Sequence, residues 1–579
     1  MNTPDDPKPV TQVGQRAQAA GHHLHSYRIG LLPIVNRILE RLRLHEHFHA
    51  YLPRADRRCR IDPATGLLVL LKNLLLSREP LYGVGEWAAR HAPDLLGLSE
   101  AQLAALNDDR VGRCLDRLFQ NDCGSLALTV ATHAITEFGV ALDQLHNDST
   151  TITFHGAYKD ATQEEKRKDQ TRLAITWGYN KDHRPDLKQL LFILTISKDG
   201  GVPVYFQAKS GNTVDDQTHR ATWDLLCTLA QRRDFLYVAD CKLATAENMA
   251  HVHQHGGRFV TLIPRTRSED GAFRAALLQG QVRWRLIHEK RDDTGEIVDR
   301  YSVSETPALS AEGYRLVWYH STRKAETDAA QRVRQVDRAL RELAELHQKL
   351  NGPRPRYHEQ AQVAAAVEAI LEARGAKSWI TTTITARVVE KYHQEGRGRP
   401  TEKTRYIREV STRFELKCEI NHAALAAEQR GDGVFPLITN DLTLSEQELL
   451  LAYKGQPMVE KRFSQLKTDF DVAPIYLKET SRIQALLCMY FFVLLVEALL
   501  ERELRQAMDR AKVDSLRLYP EGRACRYPTV RRLIEIFEDV QRHHLKGGTE
   551  PEVVFTTELS PLQRKILRLL GIPRSAYDG

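Results

Sequence analysis

The chain has 579 residues, too many for one hydrophobic core, so several domains are expected. With 42% hydrophobic and 27% charged residues, its composition is that of an ordinary globular protein and argues against a fibrous or wholly disordered chain. Lysine and arginine number 82 against 75 aspartates and glutamates, an excess of 7. So mild a basic excess is compatible with a polyanionic partner but does not require one.

The cysteine pattern and the hydropathy indicate in which cellular compartment the protein is expected. The eight cysteines are scattered without a Cys-x-x-Cys pair, which predicts reduced thiols in a cytoplasmic protein. Residues 1–20 contain no apolar run, so no signal peptide is expected. The longest apolar stretch, Ala485–Val496, is ended by Glu497 and is too short to span a bilayer. We therefore expect a buried core helix and no membrane partner.

The chain begins with a polar tail, 1–25, which we expect to be disordered, followed by a helical N-terminal domain over 26–140. Asp62-Pro63 is a typical helix start before the apolar run Leu67–Leu76. Among the arginines of this domain are Arg54, Arg57, Arg58, Arg60, Arg110 and Arg113. Two interpretations remain open: the arginines place a helix on DNA, or they are the solvated surface of a structural cap.

Near Leu142 the spacing of apolar residues changes from helix-like to strand-like, which marks the first part of a predicted core, 141–264. Gln144–Phe154 is rich in β-branched residues and predicts a strand that carries Asp148. Two further strands joined by Asp199-Gly-Gly form a hairpin, and then helices alternate with buried strands. The strand Phe235–Asp240 ends on an acid. This order predicts a mixed sheet covered by helices. In a ribonuclease-H-like sheet the two acid-bearing strands are neighbours, so Asp148 and Asp240 would converge.

The pattern breaks over 265–432, where two charged helices and strand-like runs predict an α+β insertion domain. Two of the short strand-like runs are Trp379–Ile384 and Phe414–Ile420. The helices of this domain are expected to be a solvated hairpin, with DNA contact by Arg397 and Arg399 as the alternative. The second part of the core is predicted over 433–505 and begins with a strand, Val434–Asn440. A helical C-terminal region is predicted over 506–579, with Val530–His544 and Pro561–Leu570 as its clearest helices.

The stretch Tyr453–Lys467 links the predicted core to chemistry. Apolar residues recur there at three- and four-residue steps, which predicts an amphipathic helix. They are Met458, Val459, Phe463 and Leu466. Glu460 and Lys467 are seven residues apart, nearly two helical turns, and so face roughly the same way. A carboxylate beside a cation suits a metal ion and a phosphate held side by side, although such pairs are more often a solvated helix face.

Asp148, Asp240 and Glu460 therefore stand on three separate elements of one predicted core. Mg²⁺ prefers oxygen ligands and binds between carboxylates and substrate phosphates. Two such ions activate an attacking hydroxyl and stabilise the leaving oxygen of an in-line displacement. We expect Asp148 to bridge two Mg²⁺ ions, for which Mn²⁺ would substitute, while Asp240 and Glu460 each complete one. Tyr453 and Lys467 are expected to hold the DNA backbone.

The same residues resemble a family. Asn147-Asp148-Ser149-Thr150, Ala239-Asp240 and the Tyr453–Lys467 stretch are similar to bacterial insertion-sequence transposases of the DDE type, and within them to the IS four superfamily. The signature of that superfamily is Tyr-x2-Arg-x3-Glu-x6-Lys. Tyr453, Glu460 and Lys467 match its spacing, whereas Gln456 replaces the arginine and inherits its expected DNA contact.

The resemblance, which covers roughly residues 29–500, implies an α/β fold with a ribonuclease-H-like mixed sheet, flanking helices and an insertion domain after the helical N-terminal domain. It also implies metal-dependent strand cleavage and transfer at the terminal inverted repeats of an insertion sequence and in target DNA. The expected assembly is a homodimer on double-stranded DNA in the bacterial cytoplasm. Two alternatives are a non-catalytic DNA-binding relative and a nuclease without strand transfer.

Overall fold

A computed structural model describes the greater part of the chain: residues 22–52, 59–156, 158–167, 170–182, 184–292, 295–352, 356–469, 477, 479–547 and 552–578. Of the tail 1–25 that was predicted to be disordered, residues 22–25 form the start of a strand instead, and residues 1–21 lie outside these ranges. So do three of the arginines predicted to line the helical domain, Arg54, Arg57 and Arg58.

The described chain divides into two compact units. The first comprises residues 1–260 and 451–579, and the second comprises residues 261–450. The second unit contains all of the predicted insertion domain, 265–432, and it also takes in the strand near 434–440 that was predicted to belong to the core. Each unit is described below by itself.

The first unit opens with a strand and a group of helices, as the apolar spacing predicts. The strand is β1 (His22–Arg28) and the helices are α1 (Leu32–Arg41), α2 (Leu44–Tyr51), α3 (Pro63–Leu76), α4 (Val84–Ala89), α5 (Pro93–Leu96), α6 (Glu100–Leu103), α7 (Asp108–Phe119) and α8 (Cys123–Phe138). Helix α3 starts where predicted, because the Asp62 carboxylate accepts hydrogen bonds from the backbone N–H groups of Ala64 and Thr65.

A mixed sheet follows in the first unit. The next elements along the chain are β2 (Gln144–Phe154), β3 (Glu165–Arg167), β4 (Gln170–Arg172), β5 (Lys188–Ser197), β6 (Pro203–Ser210), α9 (His219–Ala230), β7 (Leu236–Ala239), α10 (Ala246–Gln254) and β8 (Arg258–Leu262). Strands β3 and β4 form a separate two-stranded sheet. The strand order of the mixed sheet in this unit is β6-β5-β2-β7-β8, with β5 antiparallel to β2 and β6, and with β2, β7 and β8 parallel. The predicted hairpin turn is confirmed, since Gly200 and Gly201 both have positive φ (75° and 65°).

The second unit combines an antiparallel sheet with a helical hairpin and a long ribbon. Its elements are α11 (Ser268–Leu278), β9 (Trp284–Arg291), β10 (Ile297–Ser304), β11 (Ala308–Leu309), β12 (Arg315–Ser321), α12 (Thr322–Leu350), α13 (Gln360–Ala373), β13 (Ile380–Gln394), β14 (Tyr406–Ile420), α14 (His422–Gln429) and β15 (Val434–Thr439). Strands β13 and β14 pair over fifteen residues each, far longer than the short strands predicted near 379–384 and 414–420. The predicted strands were too short because the outer half of the ribbon is polar and lacks the alternation of apolar residues that identifies a strand in a sequence. Backbone hydrogen bonds between the two strands do not require that alternation.

The chain returns to the first unit within α15 (Glu446–Tyr453) and completes it. The remaining elements are α16 (Pro457–Ser464), a π-helical turn Gln465–Asp469, α17 (Thr480–Arg510), β16 (Leu516–Arg517), β17 (Ala524–Cys525), α18 (Val530–Phe537), β18 (Gln541–Gly547), β19 (Val553–Thr556) and α19 (Pro561–Leu569). The predicted helix 530–544 is thus wrong beyond Phe537. Its second half is β18, which pairs antiparallel with β1 at the other end of the chain. A partner so distant in sequence leaves no local signal.

Helix α17 forms the centre of the first unit, as the prediction of a buried core helix required. It is long and apolar enough to cross a membrane, but 94% of its most apolar window is buried inside the protein. Phe491 and Phe492 pack edge to face with each other and contact Phe206 of β6 and Phe48 of α2 respectively, with ring centroids 5.2 to 5.6 Å apart.

Candidate active site

The two strand acids lie side by side in the first-unit sheet. Strand β2 is parallel to β7, and Asn147 is the register partner of Ala239. Asp148 and Asp240 are the next residues of these two strands in the same direction. Because neighbouring strands are about 4.8 Å apart, the two carboxylates are brought to one end of the strand pair. Their proximity agrees with the influence of Asp240, whose charge raises the pKa of Asp148.

Asp148 is largely buried and has a cation beside it. Burial raises the pKa of its carboxyl to about 6; the positive charge of Lys181 opposes this shift and the negative charge of Asp240 adds to it. Lys181 Nζ lies 3.4 Å from Asp148 Oδ1 and donates hydrogen bonds of 2.7 Å to both the backbone oxygen and Oγ of Ser149. Three oxygen atoms therefore surround one ammonium group at this end of β2.

Asp240 follows the last residue of β7 and caps the short turn that comes next. Its Oδ1 accepts a hydrogen bond of 3.0 Å from the backbone N–H of Lys242. This contact holds the carboxylate at the carboxyl end of the strand, where open sheets place their sites.

The helix that carries Glu460 is shorter than the sequence predicts. Helix α15 ends at Tyr453, three residues form a turn, and α16 begins at Pro457 in the first helical position. Proline is favoured there because its missing N–H would lack a partner in any case. The predicted apolar face is confirmed: Val459, Phe463 and Leu466 are buried and Met458 packs partly buried against the core. Glu460 lies on the exposed side.

The pKa of the Tyr453 hydroxyl is affected by all three candidate acids. Burial raises the pKa of its hydroxyl, and the charges of Asp240, Glu460 and Asp148 raise it further, as does Cys241. Glu460 is therefore close enough to act on the same phenol as the two strand acids. This common neighbour is the observation that links the helix acid to the sheet.

Gln456 has a different position from the one predicted. Its side chain is 5% exposed, its Nε2 donates 3.0 Å to the backbone oxygen of Asn147, and its Oε1 lies 3.1 Å from His146 Nδ1. In this conformation the amide is not available for the predicted DNA contact, because both of its ends bond inside the protein. It instead fastens the start of α16 to β2, immediately before Asp148.

Arg462 fastens the other end of α16, and the sequence reasoning missed it. Its guanidinium is buried and donates to the backbone oxygens of Gly201 (3.0 Å) and Gly200 (3.2 Å), and to Oε1 of Gln465 (2.8 Å). Glu501 of α17 supplies the counter-charge at 3.5 Å. A signal was present: Arg462 lies three residues after Val459 and four before Leu466, so an arginine occupies the apolar face.

Lys467, predicted to hold DNA, lies in the π-helical turn and pairs with a loop acid. Its Nζ donates to both carboxylate oxygens of Asp182, at 2.6 and 2.8 Å. The side chain is 26% exposed.

Oxygen atoms are the donors at this end of the β2–β7 strand pair, and divalent cations such as Mg²⁺ prefer oxygen donors. Asp148 and Asp240 directly follow the register partners Asn147 and Ala239, and the ammonium group of Lys181 lies among oxygen atoms of Asp148 and Ser149. Within the ranges that the structure describes, no three histidine, cysteine, aspartate or glutamate side chains are grouped closely enough to hold one metal ion. The predicted scheme asks for two carboxylates per ion, with Asp148 shared, so this arrangement does not conflict with it.

Comparisons with known proteins include a family-model match and a match to a solved structure. Residues 24–132 match a family model described as a domain of unknown function (DUF4277), which spans less than a fifth of the chain. A solved structure of the piggyBac transposase synaptic complex with hairpin DNA is similar at 6% identity and a TM-score of 0.33, over 87% of this chain and 77% of that one. No curated protein matches. A match so short and a TM-score so low do not assign the chain to a family.

Proposed function

We propose that the protein is a DDE transposase of the IS four superfamily. In this proposal it cleaves DNA at the terminal inverted repeats of an insertion sequence and transfers the strands to target DNA, as a homodimer on double-stranded DNA. The observation that carries the proposal is the common effect of Asp148, Asp240 and Glu460 on the Tyr453 hydroxyl. In the proposal, these three acids from distant parts of the chain act together around the metal ions.

The sheet order of the first unit supports the proposed ribonuclease-H-like core. Numbered along the chain, its five main strands lie in the order 3-2-1-4-5, with the second antiparallel to the rest. This places the first and fourth strands next to each other. Asp148 on β2 and Asp240 after β7 are then neighbours, as the proposed catalytic arrangement requires.

The chain's own residues would act as follows. Asp148, Asp240 and Glu460 would hold two Mg²⁺ ions, which supply charge stabilisation for an in-line displacement at phosphorus and lower the pKa of the attacking hydroxyl. Gln456 and Arg462 position the Glu460 helix on the sheet. Lys467 would contact the DNA backbone after leaving Asp182.

The test is cleavage of DNA carrying the element's own terminal repeat, in the presence of Mg²⁺ or Mn²⁺. The variants D148N, D240N and E460Q should each lose cleavage by several orders of magnitude. Glu247→Gln is the matched control, because Glu247 is an acid close to Asp240 in sequence but is 80% exposed and pairs only loosely with Arg220 at 4.0 Å. Cleavage that survives in the three variants would remove these residues from the mechanism.

A second candidate is a DNA-binding relative that does not catalyse strand transfer. Lys181 favours it, because the ammonium group already neutralises Asp148 in the oxygen-lined position that a metal ion would need. Isothermal titration with Mn²⁺ separates the two candidates. Binding that is lost in D148N supports the enzyme, whereas DNA binding with no Mn²⁺ binding supports the non-catalytic relative.

A further inference from the structure

A cleft in the helical part of the first unit is lined by arginines that the proposed catalytic site does not use. It has a volume of about 480 Å³ and lies where the segment before α3 meets α7. Four arginines line it: Arg60, Arg110, Arg113 and Arg117. The first three are among the arginines that the sequence singled out, and Arg117 was not.

Among the described residues, the acids around this cleft are already engaged. Asp116, the acid among its lining residues, accepts hydrogen bonds of 2.9 and 2.7 Å from Arg482. Asp62 caps helix α3 through two backbone N–H groups. Asp109 lies 3.7 Å from Arg113 across a highly exposed pair, which contributes little in water. The cleft therefore keeps an excess of positive charge.

Arg117 supplies an independent observation. Its Nη1 is buried and has no hydrogen-bond partner within the described part of the chain. The neighbouring thiol of Cys114 does not neutralise it: burial raises the pKa of that thiol to about 12, with the charge of Arg117 opposing the shift, so the thiol is uncharged at neutral pH. A buried guanidinium N–H without an acceptor costs stability, which an anion in the cleft would recover.

We propose that this cleft is a phosphate-binding site, in which Arg117 donates from the base and Arg60 and Arg113 close over the anion from the exposed rim. Arginine suits this role because its planar set of N–H donors matches phosphate oxygens. The phosphate is assigned to the backbone of duplex DNA; this assignment rests on the proposed function, whereas the anion site itself does not. The site lies on a different part of the unit from the acids of β2 and β7.

The test measures binding of a labelled duplex by fluorescence anisotropy in EDTA, so that neither divalent metal nor cleavage enters the result. Arg113→Gln and Arg117→Gln should each weaken binding by about tenfold, as expected for losing one charged hydrogen bond to phosphate. The slope of log affinity against log salt should become shallower by about one for each lost contact. Arg37→Gln is the control, since it removes the same charge from an exposed arginine of α1 that does not line the cleft.

A second measurement identifies the source of the phosphate. Inorganic pyrophosphate should raise the melting temperature of the wild-type protein and of Arg37→Gln, but not that of Arg117→Gln. Pyrophosphate stabilisation with unchanged DNA binding would keep the anion site and assign it to free phosphates. If neither DNA binding nor the pyrophosphate shift differs between the cleft variants and Arg37→Gln, the proposal is overturned. If Arg117→Gln fails to fold, the exposed Arg113→Gln decides.

Failure of the proposed function gives a different pattern. DNA that binds through the cleft but is never cleaved would remove the transposase activity and leave the cleft in place. Cleavage that is unaffected by D148N, together with weakened binding in Arg113→Gln, would do the same. Normal cleavage and normal binding in both cleft variants would instead remove the cleft alone.

Discussion

Lys467 Nζ donates hydrogen bonds to both carboxylate oxygens of Asp182, at 2.6 and 2.8 Å. The residue before Asp182 is Lys181, whose ammonium group lies 3.4 Å from Asp148 Oδ1. One turn of the chain therefore contacts both the lysine predicted to hold DNA and the acid predicted to hold metal. In this arrangement each of those two groups is neutralised by a residue of the same protein.

The first prediction concerns the Lys467–Asp182 pair. Asp182→Asn should tighten binding of duplex DNA a few-fold at low salt, because Lys467 is released from its carboxylate and one negative charge is lost. Lys467→Gln should weaken binding by a similar factor. Both effects should shrink at high salt, since the pair is partly exposed and screened. Fluorescence anisotropy at two salt concentrations measures this, and equal affinities for wild type and Asp182→Asn would count against a DNA role for Lys467.

The second prediction is the pH dependence of metal-supported activity. The pKa of Asp148 is raised to about 6, chiefly by burial, so this carboxyl is protonated below that pH and cannot bind a divalent cation. Cleavage in Mn²⁺ should therefore rise as the pH increases through about 6 and level off above 7. Lys181→Gln should move the midpoint upwards, because it removes the positive charge that favours the carboxylate. A profile already flat at pH 5 would contradict the assignment of Asp148.

The third prediction concerns the loss of folding stability caused by burying the ionised carboxylate of Asp148. Because the folded-state pKa of Asp148 is raised from 3.8, its contribution to stability is fully present below pH 3.8 and is lost as the pH rises through about 6. D148N avoids this loss. At pH 7.5 it should be more stable than the wild type by about 2 kcal/mol after allowance for partial exposure, and the difference should vanish near pH 4. Urea denaturation at both pH values provides the measurement, and a destabilised variant at pH 7.5 would show the opposite sign.

The fourth prediction tests the attachment of the Glu460 helix. A Cβ added at Gly455 would lie 2.6 Å from ring atoms of His146, a buried side chain that also contacts Gln456. Gly455→Ala should cost about 1–3 kcal/mol of stability, as for other overpacked sites. Displacement of α16 by about 1 Å should lower cleavage about a hundredfold.

The control for this substitution is Gly271→Ala in α11, where an added Cβ meets no atom within 4 Å. That variant should cleave DNA like the wild type and be at least as stable, because alanine favours a helix interior over glycine. If Gly455→Ala also matches the wild type, the close packing between the turn and His146 does not position Glu460.

Local signals in the sequence determined several features of this protein. The β-branched run that carries Asp148, the glycine hairpin turn and the apolar face around Glu460 all follow from neighbouring residues, because strand and helix periods are local properties. The long buried helix after the Glu460 segment could also be predicted from its run of apolar residues. The candidate acids themselves could be named from these patterns together with the spacing of Tyr453, Glu460 and Lys467.

The tertiary structure alone decided the rest. The pairing of β1 with β18 joins residues more than 500 positions apart, and no local pattern encodes such a partner. Gln456 turned inward because an acceptor, the backbone oxygen of Asn147, was available only after β2 and α16 had packed together. Likewise, Lys181 meets Asp148 although the two lie 33 residues apart, and only packing decides that Nη1 of Arg117 is buried with no hydrogen-bond partner among the described residues. Hydrogen bonds and charge pairs of this kind depend on which groups are desolvated side by side, and packing alone fixes that.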